Sequence, residues 1–291
     1  MSDAEQSDAA EQPRRFYAPL IAGAIVLVAV IALVIANAVL QPEALTVDAL
    51  QSPAVGALGA GEDIYPANSA EAIEENVKFG YLPAVATALL SDGTVALANP
   101  ESGQEALGLT RPLEQTDAAV FAAARIAPAP LSEDSEGEAE DAETTRDGTP
   151  ITWEQALAEY GDATVFMPEV ASGEVLGPVL EAIEDGGRPE GVIIRSADLE
   201  VLRIAVDRDI TALYSGDATA VTPDALLDAG IGMAAVPADS DELNTWLGSE
   251  VEVWATGAES AGALADLAER GAFGALSANP FAIQPSNVKT D

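Results

Sequence analysis

VIIRSADLEVLRIAVDRDITALYSG, residues 192–216, contains one full turn of the architecture. Residues 192–195 form an apolar, β-branched run that reads as a strand. Ser196 then opens a helix over 197–206, and a second strand follows at 210–214. Strand, helix and strand within 25 residues (192–216) is the βαβ unit of a parallel sheet.

The same alternation extends in both directions. Downstream, helices at 223–228, 239–247 and 259–270 interleave with strands at 231–236, 251–255 and 275–276. Upstream lie a helix at 173–183, a strand at 164–167 and a helix at 152–160. That last helix opens with Thr152-Trp153-Glu154-Gln155, a capping box with Gln in third place. Nearer the N-terminus, Ser69 caps a helix at 69–78 that Gly80 ends. Strands at 84–90 and 94–98 flank the turn Ser91-Asp92-Gly93, and a Thr-Asp pair opens a helix at 116–124. About eight strands alternating with helices predict an α/β fold, a (β/α)8 TIM-type barrel over residues 52–284. An open doubly wound sheet is the runner-up, but no Gly-rich phosphate fingerprint follows its early strands. In either fold, ligands belong at the C-terminal ends of the strands.

Two segments stand outside the alternation. Residues 130–148, PLSEDSEGEAEDAETTRDG, form an acidic low-complexity run with no core-forming residue beyond Leu131; it reads as a solvated insertion. It lacks the spacing of an EF-hand calcium loop. The other is LIAGAIVLVAVIALVIA, residues 20–36, which has no polar side chain and continues through Asn37 to Leu40. About 20 residues at ~1.5 Å each span roughly 30 Å, a bilayer core. Residues 16–40 are therefore expected to be one transmembrane helix. Arg14 and Arg15 precede it, which keeps the tail 1–15 cytoplasmic and places the barrel outside the cell membrane, after a linker at 41–51. A cleaved signal peptide is the competing reading, since Ala36-Asn37-Ala38 resembles a cleavage site, but the apolar run exceeds an ordinary signal core. Residues 285–291 are a short tail.

Composition narrows the function. The 291 residues carry 12 Lys and Arg against 49 Asp and Glu, a formal net charge of −37. Such a surface repels nucleic acid and anionic headgroups while weakly attracting cations. With no Cys there is no disulfide, thiol nucleophile or thiolate metal site. With no His, the usual general base and commonest transition-metal ligand are missing as well.

Five segments, in order, resemble the glycerophosphodiester phosphodiesterases, whose domain is a (β/α)8 barrel. Tyr65-Pro66-Ala67-Asn68-Ser69-Ala70-Glu71-Ala72-Ile73 resembles the segment Pro-Glu-Asn-Thr/Ser that begins their first helix. GYLPAVATALLSDGTVALANP (80–100) is similar to their strand, Asp-Gly hairpin and His-Asp-Pro. TPITWEQALAEYGDATVFMPEV (149–170) resembles a helix followed by the Glu-x-Lys strand, and VIIRSADLEVLRIA (192–205) the Ser-Phe-Asp segment. VEVWATGAESAGALADLAERGAFGALSANP (251–280) has the shape of the last repeat, with Thr-Asp-x-Pro at its end.

The departures fall on the chemistry. His-Arg-Gly is matched by Ala57-Leu58-Gly59, and the metal-binding Glu-x-Asp by Ala84-Val85-Ala86. The second catalytic His falls on Ala98 and its Asp on Asn99; the Glu of the helix-opening segment is Ala67. Around Glu-x-Lys the chain reads Pro168-Glu169-Val170, with no Lys and Glu169 one place out of register; the terminal motif is Ser277-Ala278-Asn279-Pro280. In the family, carboxylates hold a divalent cation that polarises the phosphate while two His move protons. Ala at both carboxylate places leaves no oxygen cage, so no catalytic residue, metal or cofactor is expected.

Asn68 and Trp254 are the candidate ligand contacts. Each has a structural alternative, helix entry for Asn68 and core packing for Trp254; Trp153 and Trp246 are expected to pack. Arg111, Arg195 and Arg203 are the cations available to make a pocket locally positive. The leading expectation is a catalytically inactive, membrane-tethered domain that binds a protein partner, or a lipid or glycerol-phosphate component of the envelope. An active phosphodiesterase rebuilt on carboxylates such as Glu169 and Asp92 is one alternative, and a structural envelope spacer is the other.

Overall fold

The computed structural model describes residues 44–129 and 147–284. The apolar run at 16–40, the tails 1–15 and 285–291, and residues 130–146 of the acidic run lie outside the described residues. Among the described residues, no helix is long and apolar enough to cross a membrane.

Seven parallel strands form one sheet: β1 (Ala54–Leu58), β2 (Leu82–Ala84), β5 (Ile193–Ser196), β6 (Thr211–Tyr214), β7 (Met233–Pro237), β8 (Glu252–Thr256) and β9 (Gly274–Ser277). Their order is β2-β1-β9-β8-β7-β6-β5. The extended segment 165–170 bridges the two edges. On one side Met167 N donates to Pro83 O (2.9 Å) and Glu169 N to Val85 O (2.8 Å); on the other, Phe166 N reaches Gly191 O (3.0 Å) and Val170 N reaches Arg195 O (2.8 Å). A regular parallel ladder would also use an N–H at 168, directed at Ile193. Pro168 has none, so the eighth segment keeps its place with one rung missing.

The strands expected at 84–90 and 94–98 are present in shorter form, but as a hairpin outside the barrel sheet. The chain leaves the barrel after β2, and β3 (Thr87–Leu89) pairs antiparallel with β4 (Val95–Leu97) as a separate hairpin. This hairpin and the helix Ala118–Ala123 enclose a small core of their own, which includes Leu113, Phe121 and Ile126. Ile126 and Gly148 exchange backbone hydrogen bonds of 2.9 and 2.8 Å, so the chain leaves toward the acidic run and returns from it at a single rung.

Strand alternation divides the main core in two. Val55 and Ala57 of β1, Ile194 of β5 and Val253 of β8 pack against the helical layer. Ala84, Met167, Ile193, Leu213, Trp254 and Leu276 fill the barrel interior. That interior is narrow: a Cβ on Gly56 would lie 2.6 Å from Leu276 Cδ2 and 3.0 Å from Met167 Sδ.

Residues 44–50, expected as part of a linker, instead close the barrel floor. Val47, in the 3-10 turn Val47–Ala49, packs into the interior cluster with Leu45 and Leu50 at its edge. Arg188 fixes this strap, donating Nη2 to Leu45 O at 3.1 Å and Nη1 to Asp162.

Helix ends follow the sequence signals. Ser69 accepts from Ala72 N, Gly80 closes the helix Ala70–Phe79 at φ 79°, and both capping-box bonds of Thr152 and Gln155 are made. Such caps stabilise by about 1 kcal/mol each.

Candidate functional site

The mouth lies at the C-terminal ends of β1, β2, segment 165–170 and β5. Counting in twos from Met167 and Ile193, the interior-facing residues nearest the mouth are Glu169 and Arg195. The Arg195 side chain is 3% exposed and the Glu169 side chain 50%. Arg195 Nε donates to Met167 O at 2.9 Å; its Nη2 lies 3.4 Å from Ala84 O and 3.3 Å from Glu169 Oε2. Burial pulls the Arg195 guanidinium below its ordinary pKa, opposed by the negative charges of Glu169 and Glu62. A guanidinium starts high enough to stay charged.

The connection after β1 folds across this end. Gly59, Ala60 and Gly61 all have positive φ (56°, 59° and 86°). A Cβ on Gly59 would also meet Glu62 Oε2 at 2.4 Å, so glycine is required there twice over. Glu62 is half-buried. Its carboxyl is pushed above the usual carboxylate range, first by burial and then by neighbouring Asp63, with Arg195 pulling the other way.

Two asparagines pin this connection. Asn68, at φ 58° and 2% exposed, accepts from Ala86 N at 2.8 Å through Oδ1, and its own N donates to Gly59 O at 2.7 Å. Asn76 donates Nδ2 to Ala60 O at 2.7 Å. Beside the mouth lies a cavity of about 260 Å³ lined by Ala86, Thr87, Asn99, Glu101, Glu169 and Ala171. Thr87 Oγ1 donates to the Glu169 carbonyl, while Asn99 Oδ1 accepts from Glu101 N and Ser102 N at 2.9 and 3.2 Å.

Ala57 packs into the helical layer, and the interior-facing end of β1 is Leu58. Ala98 is buried in the hairpin core, whereas Asn99 lines the mouth cavity. Ala84 does sit in the interior and Ala86 on the cavity wall.

Asn68 ties the β2–β3 connection to the loop and leaves helix capping to Ser69. Trp254 is 0% exposed and lies two residues below the end of β8, packed on Phe273 with ring centroids 5.4 Å apart; Nε1 has no partner among the described residues. Its ring requires Gly274, where a Cβ would lie 3.0 Å from Trp254 Cε3. Trp153 and Trp246 are buried packing residues.

Of the three arginines, only Arg195 belongs to the mouth. Arg203 stands exposed on a helix, 3.9 Å from Glu200, and Arg111 is exposed. Asp92 and Glu169 line different cavities, Asp92 with Glu154, Glu181 and Asp185. Glu62 went unrecognised in the sequence; a Glu three residues beyond the first-strand glycine was the available signal.

A divalent cation, which the family resemblance implies, does not fit these residues. Methyl groups stand at both places matched to Glu-x-Asp, and Glu169, which lines the same cavity as Ala86, faces a guanidinium. Among the described residues no group of three or more His, Cys, Asp or Glu is placed to hold a metal ion.

No family sequence profile and no curated protein sequence matches the chain. Solved structures do. A glycerophosphodiester phosphodiesterase from Agrobacterium tumefaciens superposes with a TM-score of 0.63 at 10% identity, over 79% of this chain and 98% of that one. The glycerophosphoryl diester phosphodiesterase domain of a Mycobacterium tuberculosis protein gives 0.63 at 15% identity, over 80% and 98%. An Oleispira antarctica phosphodiesterase, solved with the product sn-glycerol-3-phosphate, gives 0.62 at 15%, over 80% and 96%. Identities this low speak for the fold alone: the chain is, in its fold, a glycerophosphodiester phosphodiesterase-like α/β barrel.

Proposed function

We propose that this chain is a membrane-tethered, non-catalytic glycerophosphodiester phosphodiesterase-like domain that acts by binding a protein partner. The observation that carries the non-catalytic part is the make-up of the mouth. The family's metal-carboxylate places are matched by Ala84 and Ala86 and its two His places by Ala57 and Ala98, and the buried cation Arg195 is paired with Glu169. Phosphoryl transfer needs charge stabilisation at the phosphate and a proton shuttle, and the chain has no His to relocate. Asp92 and Glu169, in separate cavities, do not form a rebuilt carboxylate pair.

Tethering rests on the apolar run at 20–40 and the arginines before it. A partner protein suits the charge balance better than a polyanionic ligand, because a surface of net −37 repels phosphate polymers.

Two experiments test the reading. The purified full-length chain is assayed on glycerophosphodiesters with magnesium, calcium or manganese; metal-dependent turnover that Glu169→Gln abolishes would overturn it. Cross-linking in intact cells should give a discrete protein adduct that is lost when residues 16–40 are deleted. A chain yielding no adduct is a spacer.

A further inference from the structure

We propose that the Arg195 guanidinium is the resident cation of the barrel mouth, standing where the family resemblance places the metal carboxylates and making Glu169 indifferent to divalent ions. This deepens the non-catalytic reading and rests on it. Turnover by the wild-type chain would overturn that reading, whereas the measurements below bear on Arg195 alone.

The hydrogen-bond partners of the guanidinium are all oxygens: Met167 O at 2.9 Å, Ala84 O at 3.4 Å and Glu169 Oε2 at 3.3 Å. Two carbonyls and a carboxylate are the donor types that surround a hard divalent ion. One of the two carbonyls belongs to Ala84, which stands at the first position of Glu-x-Asp. Truncation of that pair to Ala84 and Ala86 removes two negative charges from the wall. A side chain from β5 supplies a positive charge at the same place, 3% exposed and fixed by hydrogen bonds.

Sequence neighbours support a built arrangement. Arg195 is the one charged residue of β5, with Ile193, Ile194 and Ser196 around it. The backbone of Arg195 bonds to segment 165–170 from both sides, N to Pro168 O at 2.9 Å and O from Val170 N at 2.8 Å, so the guanidinium and Glu169 are held in register. A metal ion bound by Glu169 would sit beside a full positive charge in a partly desolvated site and be repelled. Unlike an ion, the guanidinium cannot be chelated away, and it does not lose its charge in the accessible pH range.

The test compares thermal unfolding midpoints of the full-length chain in calcium or magnesium chloride with those in potassium chloride of matched ionic strength. The acidic surface gives every variant some divalent-specific shift, so the readout is the dependence of that shift on Glu169. In wild type the shift should be the same with and without Glu169→Gln. Arg195→Met should add a divalent-specific upward shift that Glu169→Gln in the same chain removes. Arg195→Lys, which retains the charge, should behave as wild type. A wild-type shift that Glu169→Gln removes overturns the proposal, as does a folded Arg195→Met chain with no added shift. Should Arg195→Met fail to fold, Arg195→Lys decides: a divalent shift above wild type that depends on Glu169 counts against charge as the operative property.

Discussion

Trp254→Phe and Trp153→Phe are the same substitution at two fully buried sites, and the structure expects different costs. Trp153 Nε1 donates to Val179 O at 3.2 Å, and its ring meets Phe166 edge-on at 5.4 Å. Trp254 Nε1 is buried without a partner among the described residues. Replacing indole by phenyl removes about 40 Å³, which at ~24 cal/mol per Å³ contributes about 1 kcal/mol of cavity cost. Two lost carbons add about 1.5 kcal/mol of transfer free energy. At Trp153 the lost hydrogen bond adds about 1 kcal/mol, for a total near 3.5 kcal/mol. At Trp254 the change removes an unsatisfied donor that costs about 1–3 kcal/mol, so the total falls between about −0.5 and 1.5 kcal/mol. Urea unfolding of both variants against wild type measures the difference, expected to be at least about 2 kcal/mol. Equal costs would refute the reasoning and mean that Trp254 Nε1 has a partner inside the barrel.

Two further outcomes follow from the loop over the mouth. Glu62 has a folded-state pKa above its ordinary value, so its charge opposes folding; that penalty grows as pH rises through the folded pKa and vanishes below the ordinary carboxylate range. Glu62→Gln should therefore raise the thermal midpoint at neutral pH and lose this advantage on acidification; a variant less stable than wild type at neutral pH contradicts the assignment. At Asn68, Gly keeps the left-handed conformation but loses the bond to Ala86 N, costing about 1–2 kcal/mol. Ala adds about 1 kcal/mol of backbone strain to that loss. Urea midpoints should rank wild type above Asn68→Gly above Asn68→Ala, and a reversed order of the two variants would dismiss the backbone argument.

The barrel was legible because each βα unit repeats its pattern at full strength from residue 152 onward. The first third was less so. Around β2 to β4 the chain is rich in Ala and Leu on both faces, because those residues are buried on both sides. Alternation then fails to say which residues face inward. Pro168 similarly ends the strand read at 164–167 short of Glu169 and Val170, since a proline in a central strand argues against continuing it. Arg195 could be picked from sequence as a scarce cation within an apolar strand. Glu169 could be picked too, as a candidate carboxylate, but its pairing with Arg195 could not, since pairing across 26 residues (169 to 195) depends on strand register. Trp254 shows the limit of reading depth from sequence: it lies near the end of β8, yet two residues separate packing from the mouth.

The floor strap has a mechanical consequence. Tension reaching Ala44 along the chain meets the turn Val47–Ala49 before it meets any strand. Peeling that turn away would release roughly ten residues, on the order of 30 Å of extended chain. Only then does the pull reach β1, which is flanked on both sides by parallel partners, β2 and β9, so both ladders must shear together. Pulled from that end, residues 44–53 should therefore come away before β1 does, exposing Val47 and the underside of the interior.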